Sequence, residues 1–192
     1  MMWIGSLALA GIPFFSGFYS KDMILEVAFA SNNLTGIFAF SCGSIAAILT
    51  AFYSWRLLFL TFHGDYRGAK ENYSNMHESP FSMLFPLFVL AIGAVLSGWV
   101  FVEIFVGKSW SSFWEDSIFI LAGHDAFINA HHVPKWVKLF PIVLGIIGIA
   151  IATVCYVLIP ELPKLISLKL KPLYLLFLNK WYFDEFYNFI FV

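Results

Sequence analysis

Charged side chains are scarce in this 192-residue chain, at 12% of the total against about 25% in ordinary soluble domains. With 60% hydrophobic and 20% aromatic residues beside them, that shortage excludes a soluble globular domain and predicts an all-α protein embedded in a lipid bilayer. A net charge of −1 leaves no basic patch to displace counterions from phosphates, so nucleic acid is excluded as a partner. Cysteine is almost missing. Cys42 and Cys155 both lie within apolar runs and read as free thiols, far from any set of ligands at zinc spacing. His77, His124, His131 and His132 read as loop residues without a metal role. A glycine-rich dinucleotide loop, a phosphate loop and an iron–sulfur cysteine set are all lacking, so no cofactor, metal or redox centre is expected in this chain. Neither a basic leader nor a small-residue cleavage site precedes the first apolar run, which argues against a secretory signal.

What is present is a series of long apolar runs. Four transmembrane helices are predicted, over about 3–30, 34–62, 80–106 and 136–159, the first broken near Pro13. Each exceeds the ~20 residues that cross a hydrocarbon core, and only helices satisfy their own backbone there. Residues 63–79 read as a solvated loop. Residues 107–135 form a longer mixed connection whose apolar stretch from Ser117 to Gly123 is too short to span. Residues 1–159 are therefore expected to form a helical membrane region, and 160–192 an interfacial segment. In that segment Lys169 and Lys171 reach toward headgroups beside apolar neighbours. Trp181, Tyr182, Phe183, Phe186 and Tyr187 form an aromatic belt. Arg67, Lys70, Lys164, Lys169, Lys171 and Lys180 fall on one side, and only Lys108 and Lys135 lie near the spans on the other. The richer side is then the inner one, and the first span runs inward to outward. A chain that starts inside an apolar run and stops on an aromatic one is expected to be part of a larger polypeptide.

The chemistry concentrates in GIPFFSGFYSKDMILE, from Gly11 to Glu26. A charge at a bilayer centre costs roughly 2.5–3.5 kcal/mol on insertion scales, so Lys21 and Asp22 point to ion or proton movement. Pro13 breaks or bends a helix, and Gly11 and Gly17 loosen it further. A broken helix beside a charge is the architecture of transporter ion sites. A packing kink with Lys21 reaching to the outer interface is the plainer alternative. Desolvation disfavours an ammonium relative to its amine, which lets a lysine kept from water exchange a proton when a neighbouring charge changes. Consecutive residues do not face each other on a helix, so Lys21 and Asp22 are not expected to pair. Asp22 and Glu26 share a face. Glu26 is an accessory relay candidate, though one expected to reach outer-surface water. Arg56 and His63 lie on one helical face near the inner end of the second span. Each is an accessory relay candidate, with a snorkelling arginine and an ordinary loop histidine as the alternatives. Glu103 is expected to cap the third span in solvent.

These segments resemble a known family. GSLALAGIPFFSGFYSKDMILE is similar to the signature of the subunit L or subunit 5 family of NADH-quinone oxidoreductase (respiratory complex I). The stretches LTAFYSWRLLFLTFHGDYRG, MHESPFSMLFPLFVLAIGAVLSGW and HHVPKWVKLFPIVLGIIGIA resemble it too, so the likeness runs over essentially the whole chain. It implies an antiporter-like bundle in the distal membrane arm, with Lys21 as the lysine of a second broken helix serving the outward half of a proton path and Asp22 beside it. It implies that NADH, FMN, iron–sulfur clusters and quinone belong to other subunits. The partners implied are the other membrane-arm subunits, above all the adjacent antiporter-like one, in a bacterial inner or mitochondrial inner membrane. It also implies that a lateral helix follows residue 192. Two alternatives stand beside this reading. One is a subunit of a multisubunit sodium/proton antiporter or membrane hydrogenase, which shares the broken helix. The other is a non-catalytic truncated scaffold.

Overall fold

A computed structural model of the chain describes residues 1–64, 68, 77–118, 120, 121, 123 and 125–191. Arg67, Lys70 and His124, like most of the expected 63–79 loop and part of the Ser117–Gly123 stretch, lie outside the described residues. Among the described residues all regular structure is helical.

Two units are distinguished, Met1–Thr153 and Val154–Val192. The first begins with α1 (Met2–Ala10) and α2 (Ser16–Ala30), followed by α3 (Leu34–Phe62) and α4 (Phe81–Phe105). The connection after α4 holds two single-turn helices, α5 (Trp110–Trp114) and α6 (Ala126–Ala130), before α7 (Lys135–Thr153). Helix α3 is the common partner: α1, α2 and α7 all pack on it, and α2 also touches α4, α6 and α7. Its start is set by Asn33, whose side-chain oxygen accepts the Gly36 N–H at 2.6 Å, satisfying one of the orphan donors of the first turn. Close approach of α3 and α7 depends on Gly148. A Cβ there would lie 2.5 Å from the Ile48 carbonyl oxygen and 2.8 Å from the Ala51 methyl. Polar side chains inside these helices bond to the turn behind them, as Ser44 to Phe40 and Ser54 to Thr50, both at 2.7 Å.

Three helices among the described residues are long and apolar enough to cross a membrane: Leu34–Phe62, Phe81–Phe105 and Lys135–Leu158. The expected count was four. The difference lies in the first stretch, which is not one interrupted rod but two separate helices, each too short alone. Helix α4 has no fully buried residue; it packs on α1 and α2 along one side, with Gly98 against Ser16 and Tyr19, and the rest of its apolar surface is exposed within this unit.

The second unit opens with a π-helical turn, Val154–Leu158. Then come α8 (Leu162–Lys169), α9 (Lys171–Leu178), a 3-10 turn at Lys180–Tyr182 and α10 (Phe183–Phe191). Pro172 stands in the first turn of α9, where its missing N–H costs nothing, so it starts a helix rather than interrupting one. None of α8, α9 or α10 contains a buried residue.

Candidate functional site at the helix break

The break is made by Gly11 more than by Pro13. Gly11 adopts the left-handed conformation (φ 76°, ψ 38°) at the end of α1, and its N–H returns to the Ala8 carbonyl at 3.2 Å. A glycine meets that geometry without the Cβ penalty other residues carry. Pro13 sits in the connecting segment, outside both helices. Gly17 holds the second helix against the first: a Cβ there would overlap the Ala8 carbonyl oxygen.

An α-helix end leaves carbonyls without intrahelical donors and carries partial negative charge. Lys21 answers both at the end of α1. Its Nζ donates to the Ala10 carbonyl oxygen at 3.3 Å, reaching back across the break from the second turn of α2. Such a bond to a charged donor contributes roughly 1.5–3 kcal/mol. The lysine is half-buried. Beside it an open cavity of about 280 Å³ lies between α2 and α3, lined by Ser20, Ile24, Leu25, Gly43, Ala47 and Thr50. Ser20 and Thr50 supply polar contacts in an otherwise mainly apolar lining.

Asp22 is 6% exposed, and its Oδ1 is buried with no hydrogen-bond partner among the described residues. One turn further on, Glu26 does not open to water as expected. Its side chain is 12% exposed and lies 3.8 Å from the Lys138 ammonium of α7. The short connection between α6 and α7 brings that lysine over the C-terminal end of α2, in place of the solvent the carboxylate was expected to meet. Lys138 also donates to the His131 carbonyl at 3.2 Å.

The structure thus brings Lys21, Asp22 and Glu26 onto α2 beside the break formed at Gly11, Pro13 and Gly17. It does not bring His63 to them. That ring stacks edge-on against Trp3 at 5.6 Å and Phe59 at 5.5 Å, at the start of α1, whereas Lys21 holds its last residue. Arg56 is exposed on α3. Glu103 is exposed and accepts the Lys108 N–H at 3.1 Å, closing the end of α4. Lys138 is the residue that sequence reasoning passed over. Its one signal is a charge just inside an apolar run, shared with any lysine that marks a span end. No group of three histidine, cysteine or acidic residues able to hold a metal ion occurs among the described residues.

A fractured helix pair with an ionisable amine bonded across the fracture, set among long apolar helices, is the kind of arrangement that membrane transporters use at their ion sites. Comparison with known proteins agrees. Residues 1–50 match the family model described as NADH:quinone oxidoreductase/Mrp antiporter, TM, and residues 53–113 match NADH dehydrogenase subunit 5 C-terminus. The chain is 43% identical over 97% of its length to NADH-ubiquinone oxidoreductase chain 5 of Phytophthora infestans. It is 40% identical over 98% to the protein of that name from Rhizopus stolonifer, and 34% identical over its full length to NADH-quinone oxidoreductase subunit L of Rhodobacter capsulatus. The chain belongs to the NADH dehydrogenase subunit 5/subunit L family and is a multi-pass inner-membrane protein. It spans 28%, 29% and 36% of the length of these three relatives.

Proposed function

We propose that this chain contributes the outward half of a proton path in the membrane arm of an NADH:quinone oxidoreductase, with Lys21 as the group that takes up and releases the proton. The observation that carries this reading is the Lys21 hydrogen bond to the Ala10 carbonyl across the break. It gives the ammonium a fixed partner, with an open cavity beside it. When the proton leaves, the neutral amine loses its hold on the helix end; when it returns, the dipole draws it back. Asp22, buried beside it, supplies the opposite charge that biases the exchange.

Helices α1 and α2 together make a fourth, broken crossing. At 1.5 Å per residue they extend roughly 13 and 22 Å, enough in sum for a core of ~30 Å. The loop charges orient this crossing inward to outward, so Glu26 and Lys138 lie toward the outside. Arg56 and His63 lie toward the inside as accessory positions on the way in. Residues 1–159 act as the translocating region, and 160–192 as an interfacial segment leading to a lateral helix. The other membrane-arm subunits, including the adjacent antiporter-like one, are the partners, and electron transfer from NADH to quinone takes place elsewhere in the assembly.

The test is Lys21→Ala in the full-length subunit within its assembled complex, reading NADH-driven proton uptake into inverted vesicles. Uptake falls while NADH oxidation by the uncoupled complex persists; wild-type uptake with normal assembly rejects the relay. The description of the 1–50 match also names an antiporter, which favours a second reading as a sodium/proton antiporter subunit. The subunit 5 match over residues 53–113 favours the oxidoreductase. Uptake that requires sodium would reverse that preference.

A further inference from the structure

Glu26 has an environment its position on α2 does not explain. It is a carboxylate with a 12% exposed side chain, facing an ammonium at 3.8 Å. That separation is longer than the ~2.7–2.9 Å of a direct charge-assisted hydrogen bond. The ammonium is moored elsewhere, on the His131 carbonyl at 3.2 Å. His131 is itself fixed, its Nε2 3.0 Å from the Val106 carbonyl oxygen at the end of α4 and its Nδ1 3.1 Å from that of Phe127. Lys138 is therefore held in place independently of Glu26, and attracts its carboxylate without saturating it. One turn inward on the same face, Asp22 carries a buried oxygen with no hydrogen-bond partner among the described residues. The titratable groups around Glu26 among the described residues are Asp22 one turn away on its own helix, Lys138 from α7 at 3.8 Å and His131 after α6, whose carbonyl holds that lysine.

We propose that Lys138 is a positioning residue for proton exit: its ammonium, moored on the His131 carbonyl, holds the Glu26 carboxylate in place to receive a proton passed outward along α2 from Asp22. This rests on the Lys21 relay reading. In the step itself, Asp22 first takes the proton that the Lys21 ammonium gives up as it becomes a neutral amine; the new O–H bond on Asp22 then breaks and an O–H bond forms on Glu26, directly or through water. Glu26 then releases the proton to water on the outer side, and the Lys138 charge favours that release by stabilising the carboxylate left behind. No electron moves.

Four variants of the full-length subunit in the assembled complex, with Lys21→Ala beside them, test this by NADH-driven proton uptake. Lys138→Gln lowers uptake about fivefold, the factor that ~1 kcal/mol controls. Lys138→Arg, which keeps the charge, retains uptake. Glu26→Gln lowers it as Lys138→Gln does, and the double variant is no worse than either single one, because both remove the same step. Wild-type uptake in Lys138→Gln or Glu26→Gln, with Lys21→Ala impaired alongside, overturns the exit step and leaves the relay standing. Wild-type uptake in Lys21→Ala overturns the relay and the exit step with it. If Lys138→Gln fails to assemble, Glu26→Gln decides: near-isosteric and uncharged, it supports the proposal by losing uptake and overturns it by keeping it.

Discussion

A single methyl group at Gly17 should undo the site without touching an ionisable residue. A Cβ built there overlaps the Ala8 carbonyl oxygen and lies 3.0 Å from its carbonyl carbon. Carbon–oxygen contacts ordinarily begin at about 3.3 Å, so α2 must move away from α1 by about 1 Å. The Lys21 Nζ to Ala10 oxygen distance starts at 3.3 Å, the long end of hydrogen bonding, and does not survive that displacement. Overpacking costs typically 1–3 kcal/mol and the lost charge-assisted bond roughly 1.5–3. Part of each is recovered by relaxation, so Gly17→Ala should destabilise the subunit by about 2 kcal/mol. Thermal denaturation in detergent reads the stability, and proton uptake in vesicles the function. Gly5→Ala is the control, since a Cβ there meets nothing within 4 Å and alanine is the better helix former. Wild-type stability and uptake in Gly17→Ala would refute the close approach of the two helices.

Asn33→Ala removes the cap of α3 and should lower stability by about 1 kcal/mol, measured as a shift in thermal midpoint. Gly148→Val forces a side chain into the Ile48 carbonyl and Ala51, and should cost at least 1–3 kcal/mol. Gly93→Ala, with open space around it, should change nothing in the same assay. Asp184→Asn breaks the exposed 3.5 Å pair with Lys180 and should alter stability by less than about 0.5 kcal/mol.

The interruption of the first apolar stretch and the lysine beside it were readable from GIPFFSG and KD alone, because proline, glycine and buried charge each carry a strong local signal. The roles within the break were not. Pro13 is the conspicuous breaker, yet Gly11 makes the left-handed turn and Phe14 also takes a positive φ, 79°. Which partner Lys21 finds depends on how α2 folds back, a tertiary fact that spacing along one helix does not encode. The Glu26–Lys138 contact was hidden for a related reason. Beyond Lys138, α7 is apolar nearly all round, so periodicity marks no inner face, and a lysine near a span end looks the same whether it meets headgroups or a carboxylate. The span count shows the converse: hydropathy over 3–30 reads as one crossing, while the backbone divides it in two.

The acceptor that Lys21 uses belongs to the main chain, so no side-chain replacement at Ala10 can delete it. The vulnerable quantity is the length of the segment between Gly11 and Ser16. Inserting one residue there would change the path by which α2 folds back on α1, displacing the amine from the helix end while leaving every chemical group intact. The site should tolerate exchange of its apolar residues far better than any change in their number.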